Sequence, residues 1–383
     1  MKKIFYAVLA VVATMFVGCK DWQTPEGDLT KLYPAMDASG EAWGYINASG
    51  VFVIAPIFDD VKNFSCGAAW VEMDDEIKFI DKNGSFLPAP SFDMAEPFYY
   101  NYSTIYMDDN WGLMNNKCEM TIHPYFAFLG TMGDNGLVLA KRESSSSAKY
   151  EYVNAKGETK IPAMYDQAGG FKDGVAVVKL GSKYGAIDKS GKMSIQPIYE
   201  YGLWNLGEGL LSYCDKNSKF GILDKNGNSI AAALYYGLSN VSDGLIVFVN
   251  KKEKMGYLDT KGSEVLGALY YQAWPFFEGQ AWVKQSDDKD ARWMSIDKSG
   301  QVMFYLGEDE QPGTGFHNGL ALVHTENGCK YINTSGALIY SWSYEEIDDD
   351  DWWAPKSADK DMSFRERMQE FTNMTLNFDS RKL

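Results

Sequence analysis

The chain repeats itself nine times, so whatever it folds into has to be assembled from nine nearly equal units. The clearest copies read WGYINASG from Trp43, YGAIDKSG from Tyr184, FGILDKNG from Phe220 and MGYLDTKG from Met255. Five looser copies begin at Ile77, Trp111, Tyr150, Trp293 and Cys329. The fourth residue is aliphatic in all nine copies and the fifth is Asp or Asn in all nine. Gly stands three places further on in eight, with Cys118 the exception. Self-similarity at a spacing of about 36 residues marks an array in which each unit buries its apolar face against the next.

Each column has a physical reading. Large residues alternating with small or polar ones, as in WGYI, describe a half-buried strand. An Asp or Asn starts the reversal because its side chain accepts backbone N–H groups just ahead. The following Gly takes the positive φ that closes the hairpin. The Gly of the second column makes room for a neighbouring backbone or ring. A further strand follows (VFVIAP, KMSIQP) and is expected to stop at Pro56, Pro124, Pro162 or Pro197. An aromatic–acidic step comes next, such as Phe58-Asp59 or Tyr165-Asp166, then a turn ending in Gly67, Gly174, Gly244 or Gly319.

These motifs resemble the WG-repeat family, also called the KWG repeat, whose units read like G-L-A-x-V, W-G-x-I-D-x-x-G and P-x-Y-D. The resemblance spans Leu32 to Ile347. It departs where Lys78, Glu151, Met294 and Lys330 replace the namesake Gly, and where the unit around Tyr102 lacks the Gly that opens a strand. It implies an interaction scaffold without a shared catalytic residue. Three clear strands and a short fourth per unit describe a propeller blade. The expected fold is an all-β, propeller-like ring of about nine antiparallel units, with an open β-solenoid as the alternative. In a ring, the segment from Tyr340 to Ile347 should pair with the first unit near Leu32 to Met36.

The ends carry a different message. Lys2 and Lys3 precede an almost wholly apolar run from Ile4 to Val17, too short to span a bilayer, and the run closes on Gly18-Cys19. Residues 1–18 therefore read as a lipoprotein signal peptide and Cys19 as the lipidated N-terminus. Residues 19–31 read as a flexible tether. Lys20-Asp21 resembles export signals of surface lipoproteins of the Bacteroidetes, which points to a lipid-anchored protein of the cell envelope, at the outer membrane. Residues 348–383 read as an acidic linker and a C-terminal amphipathic helix, with a capping-box match from Ser363 to Glu366 and Phe364, Met368 and Phe371 at helical spacing.

Lys plus Arg number 36 against 52 Asp plus Glu, a formal charge of −16, which disfavours a nucleic-acid partner. Cys66, Cys118, Cys214 and Cys329 match no zinc spacing and fall in different units, as buried thiols more than as disulfide partners. His123, His317 and His324 are scattered, and no nucleophile elbow precedes any of them. Asp348 to Asp351 could offer oxygen ligands to calcium, but lacks the spaced acids and Gly of a calcium loop. Trp43, Trp70, Trp111, Trp282 and Trp293 fall in strand columns and are assigned to the core. Trp352 and Trp353 lie outside the repeat and are the candidate exposed binding aromatics. The longer tips from Arg142 to Lys149 and Lys284 to Ala291 are polar loops. No cofactor or metal is expected. The reading is a non-catalytic envelope scaffold for a protein or glycan; the alternative is a carbohydrate-active or other hydrolase with its site in a central channel.

Overall fold

In the computed structural model, which describes residues 31–343, all nine repeat copies form the same reversal. Each Asp or Asn of the fifth column accepts, through Oδ1, the N–H groups two and four residues ahead. Asn47 takes Ser49 and Val51, Asp188 takes Ser190 and Lys192, and Asn333 takes Ser335 and Ala337, all at 2.8–3.1 Å. The closing position has positive φ throughout, +78° at Gly50 and +84° at Gly191, and Cys118 adopts +62° in place of Gly. Such donors hold two of these carboxyls below their ordinary values: the Ser85 N–H leads at Asp81 and the Ser190 hydroxyl at Asp188.

Nine antiparallel sheets result, seven of four strands and two of three. The fifth sheet shows the full pattern: Gln167–Ala168, Val175–Leu180, Lys183–Asp188 and Met193–Tyr199, hydrogen-bonded in that order. The aromatic–acidic step is the crossing from one sheet to the next. Tyr165 ends the fourth sheet, Asp166 crosses, and Gln167 begins the short first strand of the fifth.

The apolar faces decide between ring and rod. Tyr45, Phe58 and Val71 join the first sheet to the second, and Tyr152, Tyr165 and Ala176 the fourth to the fifth. Every consecutive pair of sheets shares such a core. A linear stack of nine sheets has eight seams. Here Tyr33, Ala35, Ile46, Tyr331 and Trp342 form a ninth, between the last sheet and the first. The fold is a closed nine-bladed propeller. Third-column tyrosines pin several seams, the Tyr45, Tyr152 and Tyr257 hydroxyls donating to the carbonyls of Lys62, Gly169 and Trp274 at 2.6–2.8 Å.

Two sequence expectations need correction. The fourth strand does not stop at proline. Phe52–Phe58, Met120–Phe126, Thr159–Tyr165 and Met193–Tyr199 run through Pro56, Pro124, Pro162 and Pro197 to the aromatic beyond. Proline is tolerated because it sits at a bulge on the outermost strand, where no ladder donor is needed. The same bulge explains the namesake Gly. A Cβ on Gly44, Gly185 or Gly256 would lie 2.6 Å from the carbonyl oxygen of Ile54, Ile195 or Leu266. Where Met294 and Lys330 replace that Gly, the shift between first and third columns is absent, Lys330 facing Ser341 directly, and only the shift before the fourth column remains.

Closure also differs from expectation. Leu338–Ser343 pairs with Gly328–Asn333 and completes the ninth sheet, not the first. In other sheets the first-strand crossing residue donates its N–H to the second strand, as Asp166 does to Lys179 and Asp59 to Glu72. In the first sheet, side chains of the ninth take that role: the Tyr340 hydroxyl donates to the Met36 carbonyl and the Tyr331 hydroxyl to that of Pro34, both at 2.9 Å. Residues 344–347 and the expected C-terminal helix lie outside the described residues.

Candidate functional site

Strands alternate in direction, so the turns of the ring fall on two faces. Turns between first and second strands share one face with the Asp/Asn hairpins. The hairpins between second and third strands, including the long tips at Arg142 to Lys149 and Lys284 to Ala291, lie on the other with the crossings between sheets. The chain enters at Leu32 on the Asp/Asn face, beside a cavity of about 410 Å³ lined by Lys31, Asn47, Ser49 and Lys82.

On that face the first-to-second turns repeat a device of their own. Both central residues have positive φ, as in Asp243-Gly244 (+52°, +74°) and Glu278-Gly279 (+51°, +80°), the geometry of a type I′ turn. Carboxylates near these turns clasp the next sheet. Asp134 Oδ2 accepts the Gly174 N–H at 2.7 Å, Asp243 Oδ2 accepts that of Gly279 at 2.6 Å, and Glu278 accepts those of Asn318 and Gly319.

The third sheet breaks the pattern. Its turn is Tyr100-Asn101 (+50°, +66°), with Tyr where the clasp would stand and Asn where Gly would. Asn tolerates this backbone region; a bulky Tyr there is uncommon and is held by the Tyr99–Tyr102 hydrogen bonds on either side. In place of a carboxylate clasp, the seam between the third and fourth sheets opens a cavity of about 310 Å³. Tyr100, Tyr102 and Met132 line it with Asp134, Ala155 and Lys156. The two tyrosines are half-buried and back onto the core of this seam, beside Leu129, Met132 and Val153. In the Gly133–Leu137 turn, Asn135 Oδ1 accepts the Leu137 N–H, while its Nδ2 is buried with no hydrogen-bond partner among the described residues. The main chain around the cavity is satisfied by its own turns, Gly136 N–H on Gly133 and Gly157 N–H on Asn154. The cavity thus offers aromatic surface, one carboxylate, one ammonium and amide groups, suited to stacking and hydrogen bonding.

The residues singled out in the sequence are placed as follows. Cys19, the Asp348 to Asp351 run, Trp352 and Trp353 lie outside the described residues. Trp282 is buried, whereas Trp43, Trp70, Trp111 and Trp293 are only partly so, each packed against a seam. Cys66, Cys118, Cys214 and Cys329 form no disulfide with one another, and three of them are buried. Burial pushes the Cys118 and Cys214 thiols up to about 11. His123 is exposed on an outer strand. His317 packs against Phe277, ring centroids 4.9 Å apart, and burial pushes it down to about 4. One pairing escaped the sequence: strand register sets His324 opposite Cys329, Nδ1 to Sγ 3.2 Å. Cys329 is 2% exposed, so its sulfur is closed to a substrate. Among the described residues no three His, Cys, Asp or Glu side chains converge as a metal-ligand set. No helix among them is long and apolar enough to cross a membrane.

Comparison with known proteins places these features. No curated protein sequence matches the chain. Among solved structures it is similar to a eukaryotic initiation factor (12% identity, 72% of this chain and 87% of that one, TM-score 0.47). It is also similar to apo AztD from Citrobacter koseri (11% identity, 82% and 94%, TM-score 0.44). A third is Porphyromonas gingivalis dipeptidyl peptidase 4 (10% identity, 93% and 63%, TM-score 0.46). Residues 43–76, 79–111, 152–184, 184–219 and 255–289 each match the family model described as WG containing repeat, so the chain carries WG repeats, here folded as a propeller.

Proposed function

We propose that this protein is a lipid-anchored, non-catalytic scaffold of a bacterial envelope that binds a protein or a glycan on the Asp/Asn face of its ring. The observation that carries the reading is the break in the repeat. The turns at Asp243-Gly244 and Glu278-Gly279 carry carboxylates that clasp the next sheet, whereas Tyr100-Asn101 carries none and stands beside a cavity of stacking and hydrogen-bonding groups. The anchor rests on Gly18-Cys19 at the close of the apolar run, with residues 19–31 as the leash between lipid and Leu32. A hydrolase reading asks for convergent acid, base or nucleophile groups, and Asp134, the carboxylate of the cavity, is already bound by the Gly174 N–H.

The test has two arms. Mass spectrometry of the mature N-terminus should find an acylated Cys19, and Cys19→Ser should release the protein from membranes. A pull-down from envelope fractions, with catalytic screening alongside, should return a bound protein or glycan and no turnover above a denatured control. An unmodified N-terminus removes the anchor; turnover abolished by a single substitution removes the scaffold.

A further inference from the structure

We infer that the Tyr100–Tyr102 cavity is a saccharide-binding subsite, an inference that rests on the scaffold reading and narrows it to one ligand class. Three observations converge. No carboxylate clasp stands at its turn: Asp134, Asp243 and Glu278 tie other pairs of sheets together, and here a phenol ring lines the cavity instead. Its wall is aromatic while its rim is polar and of mixed sign, with Asp134 and Lys156 from the fourth sheet. Sugar rings need this combination, because their C–H faces pack on aromatic surface while their hydroxyls both donate and accept.

The main chain argues against a peptide. An extended peptide binds by adding a strand to an exposed sheet edge. Around this cavity the backbone is folded into turns whose N–H groups are taken, at Tyr102 by Tyr99, at Gly136 by Gly133 and at Gly157 by Asn154. A volume of about 310 Å³ suits one or two sugar rings, not the side-chain set of a folded partner. Nothing lies within 4 Å of where a Gly136 Cβ would stand, so the wall beside the tyrosines is open to an incoming ring.

The repeat supplies a well-behaved blocking variant. Ala155 occupies the hairpin position that Lys82, Lys189, Lys225 and Lys298 fill in other copies. Ala155→Lys is therefore a substitution that the hairpin accepts elsewhere in this chain, and it fills the cavity. The mature chain carrying Cys19→Ser, fluorescently labelled, is applied to an array of bacterial, plant and animal glycans, and retained structures are titrated by calorimetry. We expect at least one oligosaccharide to be retained. Binding should fall at least tenfold in Ala155→Lys and in the Tyr100→Ala/Tyr102→Ala pair, and should persist in Tyr102→Phe, which keeps the ring. If the tyrosine pair fails to fold, Ala155→Lys decides alone. An array that retains nothing, or affinities unchanged in a folded Ala155→Lys, overturns the saccharide assignment. The scaffold reading falls separately, through turnover in the catalytic screen or an envelope pull-down that returns neither protein nor glycan.

Discussion

At the scale of the residue, repetition makes chemistry legible and exceptions informative. Nine Asp or Asn side chains do one job, and no single copy could have shown whether a carboxylate was catalytic or structural. Once nine copies accept the same two N–H groups, the acids are explained. Pro56 and Pro197 read as strand ends in the sequence because it does not say which strand is outermost. On the rim a missing N–H costs no ladder bond. His317 gives a pH prediction at this scale. Burial depresses it to about 4, so the unfolded chain, titrating near 6.5, binds the proton more readily. Stability is complete above the unfolded value and is lost as pH falls from about 6.5 towards 4, by up to roughly 3 kcal/mol. Chemical denaturation of wild type and His317→Leu across pH 7 to 4 should show the decline in the first and a flatter profile in the second. Parallel profiles would refute it.

At the scale of the element, three of the four sheets lacking the namesake Gly have found their own compensation. Glu151 buries its carboxylate in the fourth sheet, held by Thr159 Oγ1 at 2.7 Å and Arg142 Nε at 2.6 Å, while the Arg142 guanidinium lies over the Phe126 ring. Lys78 covers Phe86 in the second sheet, and Lys330 pairs with Glu310 in the ninth. Removing one partner of a buried pair leaves the other charge uncompensated. Arg142→Ala should therefore destabilise by about 2 kcal/mol, discounted because the guanidinium is itself part-exposed. Adding Glu151→Gly, which restores the repeat residue, should recover most of the loss in the double mutant by thermal unfolding; an additive double mutant would break the argument. The sequence marked both places, Glu151 as a departure and the turn before Tyr102 as short of a Gly. It could not say that one departure closes over a salt bridge while the other opens a cavity, because that depends on the neighbouring sheet. The His324–Cys329 contact was illegible for a related reason: only strand register brings residues five apart face to face.

At the scale of the whole molecule, closure was legible as a choice and settled by counting seams. The ninth core, with Tyr33, Ile46, Tyr331 and Trp342, joins segments nearly 300 residues apart. Deleting everything after Ser335 removes Leu338–Ser343 and with it Tyr340 and Trp342. Amide hydrogen exchange should then lose protection at Trp43 to Ile54, far away in sequence. An open stack, in which units feel their neighbours alone, would leave that protection unchanged. The detail of closure was not legible, since a phenol hydroxyl standing in for a backbone N–H leaves no trace in a strand pattern. One feature of the ring reaches beyond its stability. The chain enters at Leu32 on the face that carries the Tyr100–Tyr102 cavity. For a ring anchored at Cys19, the thirteen residues 19–31 span at most ~45 Å when extended, which sets a search radius over the anchoring surface. A ligand fixed to that same surface is met at an effective concentration in the range of about a millimolar, whatever its bulk abundance. A modest intrinsic affinity then suffices for capture, and leash length, more than the contacts within the cavity, governs how far from its anchor the protein gathers what it holds.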